Sequence, residues 1–238
     1  MKKTVIALLM ASLSLPLFAG DRKEDTARLD TRVMNDTYQY DARKQCWRAG
    51  NACLKMPFGA HSVMTRQGET VYLRASGPVR TAYSASTMHS LIVYQPIPND
   101  YRIIDRKLVR TVTYGHNGDG GKYPQNRFMQ FGPDSYGWML VGLEHDSDGP
   151  AQFGTIYALE KGHLKSLGAV SVIYDDGESK LKCTVDTDKQ ADTAAGYFPL
   201  TVHVTGQKDG RSVNQSIRLP FSPKQHQYDV PDGFICGN

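Results

Sequence analysis

From about residue 70 onward the chain alternates short apolar runs with turn residues. The clearest runs have a period of two. Leu181, Cys183 and Val185 oppose Lys180, Lys182 and Thr184, and Leu200, Val202 and Val204 oppose Thr201, His203 and Thr205. In a strand, successive side chains point to opposite faces, so this pattern reads as strands with one buried and one wet face. Apolar or alternating runs predict strands at 70–75, 91–95, 108–114, 127–131, 137–143, 153–159, 167–174, 180–186, 198–205 and 212–219. Between the later ones lie Glu160-Lys161-Gly162, Asp175-Asp176-Gly177 and Lys208-Asp209-Gly210, whose glycines supply the positive φ that tight hairpins demand. Strands do not alternate with helical stretches, which disfavours a parallel nucleotide-binding sheet.

Only 21–45 carries a helical signal. It lacks Gly and Pro and spaces Leu29, Val33 and Tyr40 roughly by helical turns. The expected fold is therefore mainly β: an antiparallel meander, sandwich or barrel-like single domain, with a short N-terminal helical or irregular segment. The expected organisation is a signal peptide at 1–19, an N-terminal arm or helix with a Cys46–Cys53 loop at 20–57, and a β-rich domain at 58–238.

The start of the chain changes the picture of where it works. Lys2 and Lys3 precede a largely apolar stretch from Val5 to Leu13, then Pro16 and a small Ala19. This is the three-part form of a secretory leader, too short and too interrupted for a membrane span. The expected location is periplasmic or secreted, with no membrane insertion once the leader is gone. Four cysteines remain, Cys46, Cys53, Cys183 and Cys236. An even number in an oxidising compartment predicts two disulfides, with nearest-neighbour pairing the simplest of three connectivities. The spacing of Cys46 and Cys53 fits no usual zinc knuckle.

Charge narrows the partner class. The 238 residues hold 28 Lys and Arg against 24 Asp and Glu, a net charge of +4 that falls further when Lys2 and Lys3 leave with the leader. A near-neutral chain of this composition excludes a disordered polyelectrolyte and a basic nucleic-acid arm.

Chemistry is sparse. No G-x-S-x-G, H-E-x-x-H, phosphate-loop or dinucleotide-binding motif occurs. The densest polar group is Glu144-His145-Asp146-Ser147-Asp148-Gly149, where Glu144, Asp146 and Asp148 are the carboxylates that would hold a calcium ion. A Gly-rich stretch with His116, Asp119 and Lys122 offers backbone N–H groups and charge for an anion. The stretch from Tyr94 to Tyr123 reads as loop-rich. It sets Tyr94, Asn99 and Tyr101 beside Arg102 and Arg106, and Tyr with Arg is the composition of interface hot spots.

Taken together, a leader, a β-rich mature chain, two disulfides and no catalytic motif resemble the broad set of bacterial periplasmic inhibitor and immunity proteins. That resemblance implies a binding protein that blocks another protein, such as a toxin or a cell-wall enzyme, sterically through rigid loops. Two further expectations remain: a secreted metal-assisted hydrolase using the acidic turn, and an envelope carbohydrate-binding module using the aromatic stretch.

Overall fold

A computed structural model describes residues 19–56, 59–80, 85–112, 126–146, 149–231, 234 and 236. It begins with α1 (Ala19–Thr37) and continues into β1 (Gln39–Asp41), β2 (Cys46–Ala49), β3 (Ala52–Leu54), β4 (Ala60–Thr65), β5 (Gly68–Arg80), β6 (Ala85–Ile97) and β7 (Asp100–Val112). These seven strands form one antiparallel sheet in the order β1-β2-β3-β5-β6-β7, with β4 also beside β5. A second antiparallel sheet contains β8 (Arg127–Gly132), β9 (Ser135–Asp146), β10 (Gly149–Glu160), β11 (His163–Asp175), β12 (Lys180–Thr187), β13 (Leu200–Lys208) and β14 (Arg211–Leu219). Its order follows the chain, a meander that curls on itself. A small pair, β15 (Phe221–Ser222) and β16 (Gln227–Tyr228), follows.

Two apolar runs explain why the sheets stack. In β6, Leu91 and Val93 face the second sheet while Ile92 and Tyr94 face α1. In β9, Trp138 and Leu140 face the first sheet while Met139 joins the core inside the curled second sheet. A strand buried on both faces needs apolar residues without alternation, and both runs have them. The layers are α1, the first sheet and the curled second sheet. Tyr72, Trp138, Leu140 and Leu164 lie in the layer between the sheets. Leu181, Cys183, Val202 and Val204 lie within the curl.

The helix ends at Thr37, inside the 21–45 stretch that carries the helical signal. Its apolar side, with Val33 and Met34 fully buried, docks on the first sheet. Polar pegs surround that contact: Trp47 Nε1 donates to Asn35 at 2.8 Å, and the Tyr38 and Ser90 hydroxyls share a hydrogen bond at 2.9 Å. Tyr40, expected on the helix, sits on β1 and packs against Trp47. The sequence predicts no strand before 70, yet β1–β4 are there: β1–β3 have three or four residues, too few to show a period, and the six residues of β4 are mostly polar or exposed and carry no apolar run.

The disulfides are Cys46–Cys53 and Cys183–Cys236, the nearest-neighbour pairing. The first closes the β2–β3 hairpin. Gly77 lets that hairpin lie against β5, since a Cβ there would meet the Cys53 carbonyl oxygen at 1.9 Å. The second disulfide ties the tail to β12. The β15–β16 turn is also tied down, because Glu160 pairs with His226 at 2.5 Å and with Lys165 at 3.3 Å.

Candidate functional site

As far as residue 112 the expected contact stretch is a long hairpin and not a loop; 113–123 lie outside the described residues. β6 and β7 pair from Ser86↔Val112 to Ile97↔Asp100 and turn tightly at Pro98-Asn99, where Asn99 takes a φ of 60°. Asn tolerates this left-handed conformation better than most side chains, which suits a two-residue turn. Tyr94, Asn99, Tyr101, Arg102 and Arg106 all lie on this hairpin, but they do different things.

Tyr94 is a correction. It was expected at the surface and is fully buried, because strand alternation puts it with Ile92 on the face that α1 covers. Its hydroxyl donates to Asp30 at 2.5 Å. Tyr101 donates to Asp36 at 2.6 Å, and burial, then that hydrogen bond, raises its phenol to about 12. Arg32 joins the helix to the hairpin tip: it donates to Asp100 at 3.0 Å and to the Asn99 carbonyl at 3.3 Å, and lies over the Tyr101 ring. Asn99 and Tyr101 therefore brace the surface. Arg102 turns to the other face and donates to Gln95. Arg106 is exposed.

The pairing register gives the outward face of β7. Ile103, Arg106, Leu108 and Arg110 stand opposite Tyr94, Ile92, Ser90 and Met88, with a bulge at Val93/Tyr94. They share the helix side of the sheet and remain exposed. Ile103 is 37% exposed and Leu108 49%. Arg110 is held by Ser86 at 2.9 Å. The one carboxylate on this part of the strand, Asp105, points inward and accepts the Leu164 N–H at 2.6 Å. On that same inward side Lys107 lies over the Tyr157 ring and donates to the Leu164 carbonyl at 3.3 Å. The outward face thus carries apolar and cationic groups and no acid, on a strand fastened to the second sheet. Nothing in the local sequence marks Ile103 and Leu108 as exposed, since exposure of apolar residues has no local signature.

Two other places bring polar side chains together. Between the sheets, a cleft of about 530 Å3 opens between hairpin tips, floored by Tyr72, Ile104 and Leu159, with Arg66 and Asp134 paired at 3.0 Å at its rim. Further along the inner face, Arg74, His89 and Thr111 are buried together. His89 Nε2 and Thr111 Oγ1 are 3.0 Å apart. Burial, then the Arg74 charge, pushes His89 down to about 4, so its imidazole is neutral at physiological pH. The cleft holds an ion pair at its rim, and the His89–Thr111 pair, although a hydroxyl beside an imidazole, is buried away from solvent.

Of the remaining expected site residues, His116, Asp119, Lys122 and Asp148 lie outside the described residues, as do the side chains of Glu144 and Asp146. Among the described residues no three His, Cys, Asp or Glu side chains gather closely enough to hold a metal ion.

The helix clamp makes a testable electrostatic claim. Burial raises the Asp30 carboxyl above its usual range, although the Tyr94 hydrogen bond opposes this. A carboxyl with a folded pKa above its unfolded one costs stability at high pH, and the cost disappears as pH falls below the unfolded value. Asp30→Asn keeps an acceptor for Tyr94 and removes the charge. It is expected to raise the urea midpoint near pH 7 and to lose that advantage at about pH 3. A midpoint lowered equally at both pH values would contradict the burial argument.

No protein-family model, curated protein or solved structure matches this chain.

Proposed function

We propose that the protein is an exported, non-catalytic recognition protein that binds another protein through the outward face of β7 and blocks it sterically. The observation that carries this reading is the exposed row of Ile103, Arg106, Leu108 and Arg110 on a strand held from both sides. Arginine is among the residues most enriched at interface hot spots, and the exposed apolar groups between the arginines offer area that binding would remove from water. A surface already ordered by α1 and by the second sheet loses little conformational entropy on binding. The leader-like start of the chain points to export. Two disulfides are consistent with an oxidising compartment outside the cytoplasm, and no helix among the described residues is long and apolar enough to cross a membrane. In this reading the protein acts in the periplasm as an inhibitor or immunity protein.

The test uses the purified protein as bait in a periplasmic extract of its own cells, alongside the double variant Arg106→Glu/Leu108→Ser. The expected result is a stoichiometric complex that the variant weakens about tenfold or more, with an unchanged urea midpoint, and a bound protein whose activity falls. A complex that the variant leaves intact, or a bound molecule that is chemically converted, would overturn the reading.

A further inference from the structure

We propose that β7 takes its partner by strand addition, and that the segment it takes is extended and acidic, with carboxylates flanking an apolar residue. This rests on the protein-binding reading above and specifies its mode and its partner's chemistry.

β7 has 13 residues and ends the strand order of the first sheet. Among the described strands it pairs only with β6, so one row of its backbone N–H and C=O groups has no strand beside it. An edge of that kind is a template for another strand. The other free edges are poorer templates. β1 has three residues and β4 six; β8, one end of the second sheet, has six and already bonds Phe198 through its Phe131 carbonyl and β12 through Arg127; β14, the other end, presents Ser212, Asn214, Gln215 and Ser216. β7 alone combines length with an apolar and cationic face.

The side-chain order sets the partner's pattern. Arg106, Leu108 and Arg110 occupy alternate positions on one face. A strand laid beside β7 also presents alternate residues to that face, so it would carry acid-x-apolar-x-acid. The Arg-Leu-Arg order reads the same in both directions, and this pattern therefore holds for a parallel or an antiparallel partner. Charge complementarity adds to it: Asp105 accepts the Leu164 N–H at 2.6 Å and the Arg106 backbone N–H at 2.9 Å, which leaves the amides beyond Arg106 for a partner, and its carboxylate is not ion-paired to the guanidinium of Arg106 or Arg110. The Lys107 contacts with Tyr157 and Leu164 hold the strand against the second sheet and leave its outer edge extended.

The test uses the full protein and a fluorescent heptapeptide probe, Thr-Glu-Thr-Val-Thr-Glu-Thr. Two blocked forms accompany it, one N-methylated at every Thr and one at Glu and Val. Each blocks one edge of the peptide and keeps every side chain. The expected result is binding that at least one blocked form loses about tenfold or more, that salt and Arg106→Glu weaken, and that slows hydrogen exchange at β7 amides. Binding that is indifferent to N-methylation and leaves β7 exchange unchanged would overturn strand addition while leaving the protein-binding reading in place. No binding at millimolar peptide would overturn the proposed partner chemistry. The extract experiment judges the broader reading separately.

Discussion

Trp138→Ala is expected to lower the unfolding free energy by about 3–5 kcal/mol, the usual cost of removing a buried large aromatic side chain. Trp138 is 1% exposed and sits on the face of β9 that meets the first sheet. Its ring lies edge-on to Tyr72 at 5.7 Å and to Phe128 at 5.9 Å, and Phe128 in turn stacks on His61 of β4. Truncation would leave a void whose walls belong to both sheets. The loss should therefore appear in urea unfolding followed by far-UV circular dichroism, and hydrogen exchange should rise in β5 and β6 as well as in β9. A cost below about 1 kcal/mol would mean that the sheets do not share a core at this point.

Removing the second disulfide should cost almost as much. By loop-closure entropy, a bridge spanning a sequence separation of 53 is worth about 4 kcal/mol and one spanning 7 about 2.5. Cys183 and Cys236 are also both buried, so changing them removes packing inside the curl. The double variant Cys183→Ala/Cys236→Ala is expected to lose about 4 kcal/mol, clearly more than Cys46→Ala/Cys53→Ala. Urea midpoints measured in parallel separate the two. Equal losses, or a larger one for the short loop, would contradict this ordering.

Much of the β architecture was readable locally. The turns at Lys161-Gly162 and Asp209-Gly210 adopt the positive φ values that their glycines suggested, and β12 and β13 keep the predicted alternation of buried and exposed residues. The nearest-neighbour cysteine pairs are the ones that form. What was not readable depends on contacts between distant segments. Pro96 and Pro98 suggested a loop, but Pro96 sits near the end of β6 opposite Tyr101, where the strand can accept it. Tyr94 looked like a contact residue because nothing local announces that α1 covers it. That β7 is an edge follows from the order of the whole sheet. For the same reason the weight of the candidate site shifts from Tyr94 and Asn99, which build the hairpin, to Ile103, Arg106, Leu108 and Arg110, which it displays.

The measurement closest to the central claim is site-specific photo-crosslinking in the living cell. A benzophenone side chain would be placed singly at Ile103 and at Leu108 on β7, and at Asn214 on β14 as the comparison. The account predicts one shared protein adduct from both β7 positions and none from Asn214. An adduct from Asn214 with β7 silent would place recognition on the other sheet and contradict the account.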